Sequence, residues 1–370
     1  MSYIPAKIKI VYIINSLALG GAERLLLDLS RLLNKEKFEI SVCTVNGSGP
    51  LLPEFEKLNL KVKIFQKKTK LGLGVLWHIF KYLQEIKPQI VHTHLFAGDT
   101  WGRIAAILAR VPIIITTEHN LNLNESWLKK KIKLVLSWFT DNIIAVSRGV
   151  KDYSVEIEKI NPKKIAIIYN GIDLKKFSFR GYKPIELDKK INAVVIARLE
   201  EQKGHKYLLD AMPKICPKYP NFILNIIGIG SLMIDLKNQV ERLGINNKVV
   251  FWEQQLEIEK ILSQMDLFIL PSVWEGLGIV ILEAQAVGVP VLAAEVGGIK
   301  EIVINKQTGL LFPAKNSEAI FNSVDLLISN PEIAKNLITN AQKQVTERFS
   351  LEQMVNDYQN LYIELIKGII

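Results

Sequence analysis

Two cysteines, Cys43 and Cys216, are too few and too far apart for a disulfide framework in a chain of 370 residues. They read as two buried thiols in a reducing compartment. No apolar run reaches the roughly 18–20 residues that cross a bilayer. The nearest stretch, 133–147, is interrupted by Asp141 and Asn142. No two aspartates stand two positions apart, which removes the common Asp-x-Asp arrangement for a metal-bound nucleotide diphosphate. A third glycine is missing after Gly228-Ile229-Gly230, where Ser231, Leu232 and Met233 follow. That weakens a hydride-transferring dinucleotide reading. Internal repeats and low-complexity segments are also absent.

Acidic residues are scarce in one half only. Residues 1–180 hold 28 Lys and Arg against 15 Asp and Glu, while 181–370 hold 19 against 22. The net charge of +10 therefore belongs entirely to the first half. Such asymmetry points to an anionic surface met by one domain. A nucleic acid could supply that surface, but no aromatic platform or binding module supports one. At 49% apolar and 23% charged, the chain has the composition of a globular protein. Its length exceeds what one core commonly supports, so two domains are expected.

The opening run Lys7 to Ile14, with small residues behind it, has the outline of a signal peptide. A buried first strand, a Gly20-Gly21 turn and a helix fit better, because helical spacing starts at Ala22. Leu25, Leu26, Leu29, Leu32 and Leu33 are expected on the helix's buried face. Beyond it, strand patterns at 38–45, 61–65, 89–93, 113–117 and 142–146 alternate with helical patterns. A second series follows the stretch 175–184, with strands at 193–197, 222–227, 249–251, 267–270 and 291–294. Alternation of this kind predicts parallel sheets covered on both faces. The expected fold is α/β, with two doubly wound Rossmann-like domains facing a cleft. The first spans 1–178, joined by a final helix within 351–370, and the second spans 179–350.

Ligands in such sheets bind beyond the carboxyl ends of the strands, and four features fall there. Gly20 and Gly21 admit close backbone approach before a helix N-terminus, or form an ordinary tight turn. Arg198 and Lys203 share one strand-to-helix loop and could clamp a diphosphate. Glu200 and Glu201 between them would equally suit a solvated loop of mixed charge. Glu275 lies in a loop opened by Gly276 and Gly278, before a helix starting near Ile279 and Val280. Its carboxylate can accept bonds from sugar hydroxyls, and Glu283, one turn into the helix, from a ribose diol. His92, His94 and His119 form the last group. His92 and His94 are expected on opposite sheet faces, so that only one of them faces the site, with His94 nearer the strand end. A zinc site at His94 and His119 lacks a third ligand, so no metal is expected.

Taken in order, these segments resemble family 4 of the retaining glycosyltransferases, which have the GT-B fold. The resemblance runs from residue 9 to about 360. It rests on Gly20-Gly21-Ala22-Glu23-Arg24, His92-Thr93-His94, Thr116-Thr117-Glu118-His119-Asn120, Ala145-Val146-Ser147 and Tyr169 to Asp173. It continues through Ala197-Arg198-Leu199, Gln202-Lys203-Gly204, Gly228 to Gly230, Leu270-Pro271-Ser272, Glu275 to Glu283 and Val296-Gly297-Gly298. Ser231 stands where the family often has Pro, and Glu253 where it usually has Gly.

The resemblance implies a transferase that moves a sugar from a nucleotide-diphosphate donor, UDP rather than GDP by family habit, to a glycan or polyprenyl-linked acceptor. Arg198 and Lys203 would hold the departing diphosphate, Glu275 the donor sugar and Glu283 the ribose. Gly276 and the backbone from Gly278 through Ile279 to Val280 would face phosphate and sugar. His119 would lie at the reacting centre, Gly20 and Gly21 would line the cleft, and 250–254, including Phe251, would read the base. No cofactor is implied, and the final helix would limit closure of the two domains. A catalytically silent nucleotide-sugar-binding subunit and a sugar-nucleotide epimerase are the alternatives.

Two basic clusters, Lys67, Lys68 and Lys70 and the run Lys129 to Lys133, suggest docking on an anionic membrane surface. The second opens a helix with Trp127, Leu128, Ile132, Val135 and Phe139. A half-buried domain helix with solvated lysines would look the same. The expected location is the cytoplasm, peripheral to the inner face of the plasma membrane.

Overall fold

The structure is a computed structural model that describes residues 7–67, 72–253, 255 and 257–369. Lys68, Thr69, Lys70 and Gln254 lie outside the described residues, and with them most of the first basic cluster. The chain divides into two units, Met1–Asn170 with Leu351–Ile370, and Gly171–Ser350. The division falls after Asn170 because Ile172 already belongs with the far end of the second unit. Its amide donates to the Phe349 carbonyl at 2.9 Å, and it bridges to Ser350.

Among the described residues, the first unit holds seven strands: β1 (Ile8–Ile14), β2 (Phe38–Thr44), β3 (Lys61–Ile64), β4 (Ile90–His94), β5 (Ile113–Glu118), β6 (Asn142–Ala145) and β7 (Ile165–Ile167). They are all parallel, in the order β3-β2-β1-β4-β5-β6-β7. The second unit holds β8 (Ile191–Ile196), β9 (Phe222–Ile227), β10 (Val249–Trp252), β11 (Leu267–Leu270), β12 (Val291–Ala294) and β13 (Leu310–Phe312). Their order is β10-β9-β8-β11-β12-β13, again parallel. Each sheet is the doubly wound pattern, and each reverses direction beside its own first strand.

β1 and β8 are mostly apolar and β-branched, because helices cover both faces of each sheet. β4 and β11 are buried at every residue. The edge strands β7 and β13, three residues each, have no counterpart in the sequence patterns. Nor does the 18-residue helix Pro331–Arg348, whose surface is largely polar. In the helix Gly21–Leu32 the buried face is Leu25, Leu26 and Leu29, while Leu32 is exposed and Glu23 is buried. Cys43 is buried and Cys216 half-buried. Among the described residues, no helix is long and apolar enough to cross a membrane.

The final helix, Leu351–Ile369, completes the first unit's core. Leu351, Met354, Val355, Tyr358, Tyr362 and Ile366 pack with Ile8 to Ile14 and with Leu25, Leu26 and Leu29. Polar groups are buried with them. Tyr362 Oη lies 3.1 Å from Tyr12 Oη and 2.7 Å from His92 Nδ1, and His92 Nε2 lies 2.7 Å from Thr117 Oγ1. Tyr362→Phe leaves the Tyr12 hydroxyl and His92 Nδ1 without this partner, at a cost of about 1–3 kcal/mol. Urea unfolding should show that loss in the transition that reports the first unit; an unchanged midpoint would exclude the network as a source of stability.

Candidate active site

In the second unit, direction reverses between β8 and β11, so the loops that follow these two strands stand side by side. Arg198 and Lys203 lie on the first loop and Glu275 on the second. Lys203 Nζ makes a direct ion pair with Glu275 Oε2. Glu275 also accepts from Ser272 Oγ at 3.3 Å, and its carbonyl accepts from Gly298 N at 3.2 Å. Gln202 links the loops. Its side chain donates to the Trp274 carbonyl at 3.0 Å and accepts from Arg198 Nη2 at 3.4 Å, and its carbonyl accepts from Val273 N at 2.7 Å. Arg198 itself is exposed. Gln202 and Ser272 stand in segments that carry the resemblance, but the sequence alone assigns neither a role; the contacts between the two loops do.

Glycines let these loops approach. Gly204 has φ +65°, and a Cβ there would meet the Pro271 carbonyl oxygen at 2.1 Å. Gly278 takes φ +87° as the residue before the helix Ile279–Val287. That helix presents its first amides, at Ile279 and Val280, beside Gly276 and Glu275, with Glu283 buried one turn in. Phe251, near the end of β10, packs half-buried on the unit's core, with Lys237 over its ring at 5.9 Å. Gly230 packs against the Leu199 backbone, and Glu200 accepts from Ser231 N at 3.1 Å and Oγ at 2.8 Å. Those bonds hold the Glu200 carboxyl below its ordinary range. Glu200 is therefore engaged in loop structure.

A cavity of about 480 Å³ lies between Glu200, Glu201, Gly204, His205 and Lys206 and the helix Met233–Arg242. Arg198, Lys203, Glu275 and Glu283 do not line it. It is a groove between two helices that cover the sheet.

In the first unit the reversal falls between β1 and β4. Gly20 precedes the helix Gly21–Leu32, and a Cβ on Gly20 would meet the Glu23 carboxylate at 2.3 Å. Leu95, the residue after β4, has φ +60°, a conformation that costs a leucine about 1–3 kcal/mol. His92 and His94 share one face of β4, as residues two apart in a strand must. Their ring centroids are 4.3 Å apart, which corrects the expectation that they point to opposite faces of the sheet. His94 Nδ1 lies 3.0 Å from His119 Nε2, while His94 Nε2 is buried without a partner. Burial pushes His92 and His94 well below the ordinary imidazole value and His119 down to about 4. Among the described residues, no group of three or more His, Cys, Asp or Glu is placed to hold a metal ion.

The helix Trp127–Trp138 differs from expectation at one lysine. Lys133 is buried in ion pairs, so it is not part of a basic surface. Trp127, Leu128, Val135, Trp138 and Phe139 are exposed instead, at 45–68%.

Two family models match the chain: "Glycosyltransferase Family 4" over residues 19–176 and "Glycosyl transferases group 1" over 182–344. The Escherichia coli UDP-Gal:alpha-D-GlcNAc-diphosphoundecaprenol alpha-1,3-galactosyltransferase is 30% identical over 386 residues, 98% of either chain. The Staphylococcus aureus capsular polysaccharide biosynthesis glycosyltransferase CapM is 27% identical over 365 residues, 90% of this chain and 92% of that one. Among solved structures, Anabaena HepE in complex with UDP-glucose superposes with a TM-score of 0.86 at 22% identity, over 96% of this chain and 99% of that one.

A depressed imidazole value stabilises the fold above the ordinary pKa of about 6.5 and loses that contribution as pH falls through the folded value. His119 is therefore expected to stay neutral down to about pH 5. Long-range 1H–15N NMR of labelled histidine reads this directly; a His119 signal titrating near pH 6.5 would contradict the burial described.

Proposed function

The chain belongs to glycosyltransferase family 4, with the GT-B fold, and on that premise we propose that it transfers a sugar, with retention, from a UDP-sugar to a lipid-linked glycan in polysaccharide synthesis. The observation that carries this reading is the Lys203–Glu275 ion pair, with Arg198 beside it and the first amides of Ile279–Val287 nearby. A cation paired with a carboxylate can exchange that partner for a more highly charged one. A diphosphate draws Lys203 and Arg198, and Glu275 then accepts from the hydroxyls of the donor sugar. The helix amides face the phosphates and Glu283 the ribose.

Reaction breaks the bond from the anomeric carbon to the β-phosphate oxygen and forms a bond to the acceptor hydroxyl on the same face. The acceptor proton passes to the leaving diphosphate. Arg198 and Lys203 neutralise the charge that develops there, so the chemistry requires no metal ion. No side chain is needed as nucleophile. His119, with its depressed basicity, serves as a neutral hydrogen-bonding group and not as the general base. UDP is favoured over GDP because the Escherichia coli relative is a UDP-Gal-dependent enzyme and the Anabaena structure is a complex with UDP-glucose. The diphosphoundecaprenol acceptor of the Escherichia coli enzyme likewise supports a lipid-linked one here.

Such an acceptor lies in a membrane, and the first unit has a surface that suits one. The exposed Trp127, Leu128, Val135, Trp138 and Phe139 share a helix with Lys129 and Lys131, whose ammoniums lie over Phe96 and Trp127. Trp77 and Leu73 are exposed on the helix Leu73–Ile86. Aromatic rings with lysines suit the interfacial region of an anionic leaflet, which supports a peripheral position on the cytoplasmic side.

A panel of UDP- and GDP-sugars, offered with a GlcNAc-diphospho-lipid, tests the reaction by product mass: transfer lengthens the glycan, whereas an isomer of equal mass would refute it. Arg198→Ala and Lys203→Ala should each cost roughly 2–4 kcal/mol of transition-state stabilisation, about 30- to 900-fold in turnover. Full activity in both variants, or activity that depends on manganese and vanishes with chelator, would overturn the charge assignment. Trp127→Glu with Trp138→Glu should abolish sedimentation with phosphatidylglycerol vesicles; binding equal to the unaltered protein would refute docking.

A further inference from the structure

Lys133 lies on the same helix as the exposed tryptophans but points the other way, with a side chain 3% exposed. Its ammonium is 3.0 Å from Glu118, 3.3 Å from Glu125 and 2.9 Å from Glu158. The three carboxylates come from separate places. Glu118 is the last residue of β5, Glu125 stands just before the helix Trp127–Trp138, and Glu158 follows the helix Arg148–Glu156. Burying one cation among three carboxyl groups is not a means of gaining stability, since desolvation costs several kcal/mol for each ion. The arrangement has a geometric effect instead. Glu118 and Glu125 bracket the segment 119–124, and one ammonium ties both ends of it.

That segment carries His119, Asn120 and Asn122. Together with Glu118, Glu125 and Phe96 these side chains face a cavity of about 70 Å³. The Tyr153 hydroxyl adds a third tie by donating to the Asn122 carbonyl at 2.8 Å. Carboxylates, carboxamides and an aromatic ring are the groups with which proteins meet a sugar's hydroxyls and its apolar face.

We propose that Lys133 is a positioning residue for the acceptor sugar: by holding Glu118 and Glu125 it keeps 119–124 in the form that lines this pocket. The inference rests on the reading of the first unit as the acceptor side. Other charges face the cluster from every side. Asp99 is tied to Arg103, His119 is neutral, Lys129 lies over Phe96 and Lys130 over the Tyr153 ring. Burial, and then the Glu118 charge, push the Glu158 carboxyl up to about 7. A group raised in this way favours the folded arrangement at lower pH and loses that contribution as pH rises through about 7. Ionisation of Glu158 then adds a third negative charge at Lys133 and weakens its hold on Glu118 and Glu125.

The test uses the full chain with UDP-galactose and a GlcNAc-diphospho-lipid, reading acceptor KM, UDP affinity by calorimetry, and hydrogen exchange across 119–124. Glu125→Gln is expected to raise acceptor KM about tenfold, the scale of a loosened positioning contact, with UDP affinity unchanged. Acceptor KM of the unaltered protein should rise as pH passes about 7, and Glu158→Gln should flatten that rise. Lys133→Met should act in the same direction as Glu125→Gln and more strongly; if it does not fold, the two glutamate variants still decide. A lowered melting temperature in Glu125→Gln with acceptor KM unchanged would overturn the proposal and leave a purely structural cluster. Should the unaltered protein bind UDP yet transfer nothing to this lipid, the acceptor assignment has failed by itself, and hydrogen exchange decides the positioning. Faster exchange confined to 119–124 in Glu125→Gln supports it, and exchange identical to the unaltered protein overturns it.

Discussion

Two parallel strands cannot be joined without a crossover, and that constraint sets where every side chain of interest stands. Each crossover returns the chain to the same edge of the sheet, so all the turns leaving the strands gather at one rim. Where the strand order reverses, two neighbouring turns lead to opposite faces and leave room between them. In the second unit this occurs at β8 and β11, which brings Lys203 and Glu275 into contact although 72 positions separate them. In the first unit it occurs at β1 and β4, so Gly20 and the residues around Leu95 stand at equivalent places. His119, one strand further along, reaches His94 from the next turn.

Buried charge serves the same end in three places. Asp99 binds Arg103 and accepts from Thr93 at 2.8 Å and Thr116 at 2.6 Å, joining the helix Phe96–Leu108 to two strands. Lys133 joins a strand end, a loop and a helix; Lys203 joins two loops. Such pairs gain little stability over a well-packed apolar alternative, but they define one arrangement of the segments they hold. The strained Leu95 beside them fits the same pattern, in which part of the folding energy is given up for a fixed geometry.

Much of this was legible in the residues. The strands 222–227, 267–270 and 291–294 coincide with the sequence patterns, because each is a short, mostly apolar run bounded by breaks. β7 and β13 are too short to show any period, and the helix Pro331–Arg348 is too polar to show a clear stripe. The carboxylates and cations of the second unit were visible as types at strand ends, and what the sequence lacked was their pairing. Lys133 illustrates the limit. In a run of lysines it looks like its neighbours, and its partners at 118 and 158 are brought near by the sheet. One local clue existed: helical period places 133 with Leu136 and Ser137, both buried, and apart from Trp127, Trp138 and Phe139.

The first unit takes its last helix from the far end of the chain, and the Tyr362 hydroxyl from that helix sits against Tyr12 and His92. On a ribosome, which adds about 5–20 residues each second, domains ordinarily fold in the order of their emergence. Here that order is inverted. The intervening unit has all its residues before the earlier one does, and the sheet translated first waits with an uncovered apolar face until the closing segment leaves the exit tunnel. Nascent chains stalled before residue 351 would therefore be the form most in need of a chaperone.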